Sequence, residues 1–313
     1  MVSIYKRWSD FFFSKAGPFN LSFTRLIFYL FLAQYTYFQD QFSKYWASLP
    51  GELWHPVAPM SFFSAPPLSV TQYIILFNTF IVFCLLSSIG LFTRISTLSC
   101  ALTGTMIYSF RVSFLEGSHD NLTTVVFLWI FAFSQCGESL SLDSFFLKKR
   151  GAKENIKRLK QKVGEGVFNW PIKLMMIVFC SVYVSAAFSK LYNGGLEWIW
   201  GDTVKNYFIF SHYKTDLDRL GLSLGLGLKL SQFPLLCKVS GLLTLVVELG
   251  TILALFNTNA KRVFITAMFV WHIMFFFTSS NGFINMTILF FCWPDWKGLF
   301  DKWNLFRTKV YSF

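Results

Sequence analysis

The chain is 313 residues long, with 54% apolar residues, 14% charged residues and a net charge of +12. A soluble domain carries about 25% charged residues, so this composition excludes an ordinary water-soluble fold and calls for long apolar segments in a bilayer. The charge excess does not mark a nucleic-acid surface. Lys148, Lys149, Arg150, Lys153, Lys157, Arg158, Lys160 and Lys162 form one run opposed only by Glu154, the composition of a cytoplasmic loop beside a membrane.

Taken in chain order, apolar runs predict spans near 21–38, 70–92, 95–115, 120–135, 171–192, 236–256, 263–280 and 282–294. A crossing needs about 20 residues, so the fourth and eighth runs are short. Ser279, Ser280, Asn281 and Gly282 interrupt the chain before the eighth, which reads as a crossing, a re-entrant segment or half of a broken helix. The first run contains Arg25 and no small-residue cleavage site, so it reads as a retained span rather than a signal peptide.

Charge orients this map. Lys6, Arg7 and Lys15 place the N-terminal segment 1–20 in the cytoplasm. Eight crossings then put Arg94, the loop 136–170, Lys261, Arg262 and the tail 296–313 on the same side. The tail carries Lys297, Lys302, Arg307 and Lys309, whereas the outer loops 39–69 and 193–235 are nearly balanced. Such asymmetry sets membrane orientation. The expected fold class is all-α, a polytopic transmembrane helical bundle of about eight spans with both termini cytoplasmic.

The outer loop 39–69, with Trp46, Trp54, His55, Pro56, Pro59 and Pro66, fits the outer interface, where Trp and Tyr are favoured. The loop 193–235 is glycine-rich at 221–227, which suggests a flexible or re-entrant segment. Six cysteines include no CxxC pair, so no disulfide framework or zinc site is expected. There is also no P-loop, GxGxxG after a strand, HExxH or GxSxG, so a soluble hydrolase, kinase or nicotinamide enzyme is unsupported.

Ionisable groups inside spans are costly, so each needs a partner or a task. In the orientation above, Arg111, His119 and Lys190 come from three segments and share the outer half of the membrane, which nominates a site. Lys190 shares a helix face with Tyr183, Ala186 and Ala187. It reads either as a snorkelling lysine at a helix end or as a general base in an apolar pocket. His119 reads as an interfacial histidine or a proton carrier. Asp120 reads as the N-cap of the fourth span. Arg111 snorkels outward or binds an acidic group. Glu248 and His272 lie deeper and satisfy each other if they meet, with Asn281 and Asn285 lining the same cavity or breaking the last helix. Arg25 is expected to pair with a carboxylate or with lipid headgroups.

The stretch Ser185-Ala-Ala-Phe-Ser-Lys190 through Trp198, Gly201 and Thr203 resembles the signature of the HTTM family, the membrane domains related to vitamin K-dependent gamma-carboxylase. Arg25 in the first span, the GSHDN turn holding His119 and Asp120, Glu248 in the sixth span and the segment around His272 follow in matching order over residues 21–295. The resemblance implies an HTTM-like membrane domain with Lys190 as base and His119 as its assistant on a reduced quinone of vitamin K or menaquinone type. In the carboxylase, oxygen then yields an epoxide and a strong base that removes a γ-proton from a peptide glutamate, and carbon dioxide adds. Trp198, Gly201, Arg111, Asp120, Glu248, His272 and Asn281 are the matching candidates for quinone and substrate binding. No metal is expected.

This chain ends about 20 residues after its last apolar run, without the large lumenal part of the carboxylase. Short members resembling the sporulation-delaying maturation protein B imply another role: maturing a small exported peptide with a co-encoded maturation protein. The expected function is quinol-linked modification or maturation of such a peptide at the outer face of a bacterial-type plasma membrane. Two rivals stand beside it, a non-enzymatic or immunity-like membrane partner of the peptide and a small-molecule transporter. The spans show no inverted repeat that would favour the transporter.

Overall fold

A computed structural model describes residues 2–38, 45–114, 119–149, 165–214, 226–279 and 284–310. All regular structure among them is helical. The chain divides into two compact units, Met1–Met175 with Phe291–Phe313, and Met176–Phe290.

The first unit begins with α1 (Val2–Phe13) and α2 (Pro18–Phe38), followed by α3 (Val70–Ile89), α4 (Thr93–Val112), α5 (His119–Phe133) and α6 (Leu142–Lys149). Sequential packing of α2, α3, α4 and α5 forms its body. Ser69 starts α3 with a capping box to Gln72, and Gly90 ends it in the left-handed region at φ 69°, where glycine carries no steric penalty. The core between these helices is aromatic, with Phe28, Tyr29, Phe80, Phe110, Phe127 and Phe131 buried. A Cβ at Gly104 would lie 2.6 Å from Leu128 Cδ1 and 2.9 Å from Phe80 Cε2, so this small residue sets the close approach of α4 to its neighbours.

The second unit contains the C-terminal part of α7 (Asn169–Gly194), then α8 (Glu197–Trp200), α9 (Thr203–Lys214), α10 (Leu226–Ser231), α11 (Pro234–Gly250) and α12 (Thr266–Ser279). A π-helical turn, Lys261–Ile265, leads into α12, and short turns Ile284–Thr287 and Ile288–Cys292 follow. The chain then closes the first unit with α13 (Trp296–Val310).

Several helices reverse the polarity of a soluble fold. On α3, Ile75, Val82, Leu85 and Ile89 are exposed while Ser87 and Ser88 are buried. On α4, Ile95, Leu98 and Leu102 face outward while Thr93, Ser96 and Thr97 are inside. On α11, Val239, Leu242, Leu243 and Val246 are exposed while Thr244 and Glu248 are buried. In water this arrangement would expose large apolar patches; against lipid it places apolar side chains outward and polar groups in protein.

The span expectation is met only in part. Among the described residues, three helices are long and apolar enough to cross a membrane, Val70–Ile89, Gly166–Gly194 and Pro234–Leu255. The bent pair Tyr5–Phe13 and Pro18–Phe38 makes a fourth if taken as one span. α4 has the length of a span, with 20 residues, but its Ser and Thr content dilutes its apolar character. α5 has 15 residues, short of a full crossing at 1.5 Å per residue. The expected last span is split into turns of four and five residues.

One loop expectation also changes. Much of 193–235 is helical, in α8, α9, α10 and the start of α11. The glycine-rich residues 221–225 lie outside the described residues. In the 39–69 stretch, Trp54 packs on Phe110 and Phe114 at 5.2 and 5.0 Å. The backbone N–H of His55 donates to Ser113 O at 2.9 Å, so this segment is tied to the end of α4.

Candidate functional site

The site is built on one face of α7. Tyr183, Ala187 and Lys190 recur at four- and three-residue intervals, which puts them one above another on a helix. Ala187 is fully buried, packed in a cluster with Ile199 of α8 and Leu245 of α11. Leu191, Trp198 and Leu249 cover that cluster. This apolar wall fixes α7, α8 and α11 around the polar end of Lys190.

Lys190 Nζ donates to Glu248 Oε1 at 2.7 Å and to Oε2 at 2.9 Å. The side chains keep 22% and 10% of their exposure, so the pair is largely withdrawn from solvent. In such surroundings a charge is tolerated only with a partner. The ammonium also lies 5.5 Å from the centre of the Trp198 ring, within range of a cation–π attraction. Trp198 Nε1 is buried and has no hydrogen-bond partner among the described residues. An indole N–H can only donate, so the site presents one unused donor next to an ammonium–carboxylate pair.

Glycines hold this corner together. The N–H of Gly201 donates to Glu197 O at 2.9 Å, closing α8, and a Cβ there would lie 2.6 Å from that oxygen. Gly201 therefore brings the chain past the end of α8. Gly241 on α11 would meet Trp198 O at 3.2 Å if it carried a Cβ, so glycine allows α8 to approach α11 and brings Trp198 to the pair.

A second polar contact lies two turns earlier on α7. Tyr183 Oη and His272 Nε2 are 2.6 Å apart, and the imidazole packs edge-on against Phe290 with centroids 5.4 Å apart. The expected Glu248–His272 pairing is corrected: Glu248 takes Lys190, and His272 takes Tyr183. Lys190 is likewise neither a snorkelling terminus nor a bare amine. Its partner lies 58 positions later, a distance that no local pattern encodes.

Arg111 sits half-buried in the last turn of α4, in the first unit. His119 opens α5 in the same unit, and Asp120 lies inside that helix rather than ahead of it as an N-cap. The side chains of His119 and Asp120 lie outside the described residues, as does Asn281. Lys190, Trp198, Gly201, Glu248 and His272 all belong to the second unit.

Arg25 departs from its expected carboxylate or headgroup partner. It is fully buried on α2, and its Nη2 donates to Ser88 O at 3.3 Å and Leu140 O at 2.6 Å. The guanidinium thus caps the carbonyl end of α3, where a cation is favoured. Two contributors were missed in the sequence: Tyr183 as the histidine's partner and Trp198 Nε1 as an unused donor. Only the shared helical face of Tyr183 and Lys190 signalled the former; the latter has no sequence signal.

No family model matches the chain, no curated protein matches it, and no solved structure matches it.

Proposed function

We propose that the chain is a multi-pass membrane protein of the HTTM type, with about eight crossings and both termini cytoplasmic in a bacterial-type plasma membrane. On this reading it carries out quinol-linked modification or maturation of a small exported peptide at the outer face. The supporting observation is the Lys190–Glu248 pair beside the unpartnered Trp198 Nε1. A base in a dry site needs somewhere to put its own proton, and Glu248 provides that place.

The chemistry of the residues follows. A proton moves from Lys190 Nζ to Glu248: an N–H bond breaks, an O–H bond forms, and both groups become neutral. The free amine then takes a hydroxyl proton and returns to the ammonium. Trp198 Nε1 donates a hydrogen bond to an oxygen of the bound molecule and orients it. Ala187, Leu191, Ile199, Leu245 and Leu249 exclude water from that side. A reduced quinone, when bound, supplies an acidic hydroxyl and the reducing equivalents for the later oxidation. Its oxygen matches the unused indole donor and its apolar ring matches the wall. His119 is the further proton carrier that the resemblance suggests.

The test is thermal stability in nanodiscs with a menaquinone analogue, since a ligand stabilises the state that binds it. We expect saturable stabilisation of wild type that is lost in Lys190→Met/Glu248→Leu, an apolar replacement of both partners that preserves the packing. Equal stabilisation in that double variant would remove the pair from the binding site. The mutual saturation of Lys190 and Glu248 also favours a second reading, in which the pair locks α7 to α11 and the chain is a non-enzymatic partner of the peptide. Full peptide maturation by the double variant would establish that reading.

A further inference from the structure

Two helices at one end of the first unit lie outside the packed body of α2, α3, α4 and α5. α1 meets α2 at a bend of 62°, so it turns sharply off the axis of α2. α13 docks at the same end of α2. Trp296 lies 4.8 Å from Phe23, and Phe300 lies 5.6 Å from Phe19, centre to centre. Asn20 Nδ2 donates to Asp295 Oδ1 at 3.0 Å, and the N–H of Lys297 donates to Asn20 Oδ1 at 2.8 Å.

Both helices are amphipathic. On α1, residues 5, 8, 11 and 12 fall on one apolar arc, with Lys6, Arg7 and Asp10 opposite. Asn169 holds the Phe11 carbonyl at 3.0 Å, which secures α1 at its C-terminal half, while Tyr5 and Trp8 stay exposed. On α13, residues 296, 299, 300 and 303 share an arc, flanked by Lys297 on one side and Lys302 on the other. Trp296 and Phe300 dock on α2; Leu299 and Trp303 remain exposed, Trp303 at 65%.

Charge at this end leans basic, with Asp10, Asp295 and Asp301 as the exposed acids and Lys297 paired to Asp301 at 2.9 Å. Lys6, Arg7, Lys15, Arg94 and Lys302 are exposed there. Arg94 belongs to this end because the start of α4 follows the end of α3, which Arg25 holds against α2. Helices with an apolar stripe, interfacial Trp and Tyr and flanking Lys and Arg suit the boundary between headgroups and acyl chains, where anionic lipid adds attraction. An acidic soluble partner would use the charges but leave the apolar stripe unexplained. The stripe is also continuous with the end of a candidate span, and so with the lipid that would surround it.

We propose that α1 and α13 form a pair of in-plane interfacial helices that bind anionic phospholipid, with Tyr5, Trp8, Leu299 and Trp303 in the headgroup–acyl boundary and the Lys and Arg residues on the phosphates. The proposal rests on the membrane reading but on none of the chemistry at Lys190.

The experiment uses the full chain in nanodiscs of phosphatidylcholine, alone or mixed with phosphatidylglycerol. Tryptophan quenching is measured with lipids brominated near the headgroup and with an aqueous quencher, in wild type and in Trp8→Phe/Trp303→Phe. The shallow brominated lipid should quench a component that disappears in the double variant. Phosphatidylglycerol enrichment around the protein, read by native mass spectrometry, should fall about fivefold for each cation removed in the series Lys6→Gln, Arg7→Gln, Lys302→Gln. Quenching of the Trp8 and Trp303 component by the aqueous agent alone overturns the proposal, as does an unchanged lipid enrichment in the series. Crosslinking of Trp303→Cys between two copies in the nanodisc also overturns it, by assigning the stripe to a dimer. Failure to enter nanodiscs at all would overturn the membrane reading itself, so the two failures are distinguishable.

Discussion

Each unit withdraws a cation from solvent, Arg25 fully and Lys190 in large part, and the two do so differently. In the first unit Arg25 gives its Nη2 hydrogens to two backbone carbonyls, Ser88 O and Leu140 O. In the second unit Lys190 gives its hydrogens to a carboxylate, with an unused indole donor beside it. A carbonyl cannot take up the proton of a guanidinium, so Arg25 is a staple between helix ends. A carboxylate can take up the proton of an ammonium, so Lys190 and Glu248 have the elements of proton chemistry. A buried cation therefore signals function through what it binds more than through its burial.

Five variants sharpen that contrast. Lys190→Ala leaves Glu248 without its partner and should destabilise by about 3–5 kcal/mol, measured by denaturation in a fixed detergent or nanodisc. Lys190→Met/Glu248→Leu should recover most of that loss, because the desolvation cost of two charges disappears with the pair. If the double variant is as unstable as the single one, packing rather than charge holds the corner. Arg25→Met removes the donors to two carbonyls and should cost about 1–3 kcal/mol, with binding of a quinone analogue unchanged. Loss of that binding would erase the distinction between staple and site.

His272→Phe keeps the contact with Phe290 but takes the partner from Tyr183 Oη, for an expected cost of about 1 kcal/mol in thermal unfolding. Trp198→Phe is the smallest change: it keeps a ring near Lys190 and removes an N–H that has no partner among the described residues. Stability without ligand should stay within about 0.5 kcal/mol, while stabilisation by the quinone analogue should weaken. A stability loss comparable to that of Lys190→Ala would show that the indole serves packing and not recognition.

How much could be read in advance varies by residue. The helical face carrying Tyr183, Ala187 and Lys190 was legible from spacing, since 3.6 residues per turn aligns them. Lys190 and Glu248 stood out separately because charged residues in apolar runs demand explanation. Their pairing was not legible, and the expected Glu248–His272 contact went to other partners. The reason is tertiary: Gly241 lets α8 approach α11, and the Ala187, Ile199 and Leu245 cluster seats both on α7, which brings a residue from 58 positions away within 2.7 Å. Arg25 shows the same limit. Its depth in an apolar run was plain, but its acceptors come from the ends of other segments, whose proximity depends on how α2 packs on α3.

By itself, then, the sequence determined the class: helical, dominated by apolar segments, and basic in one set of connecting stretches. Those properties are local sums, fixed by composition and by a helix satisfying its own backbone hydrogen bonds. Tertiary structure decided which helices have full span length, which polar groups meet, and that Gly201 closes a turn. Only packing could decide these points, because a buried charge takes whichever partner the surrounding helices deliver and glycine's worth depends on the atom that would meet its missing Cβ.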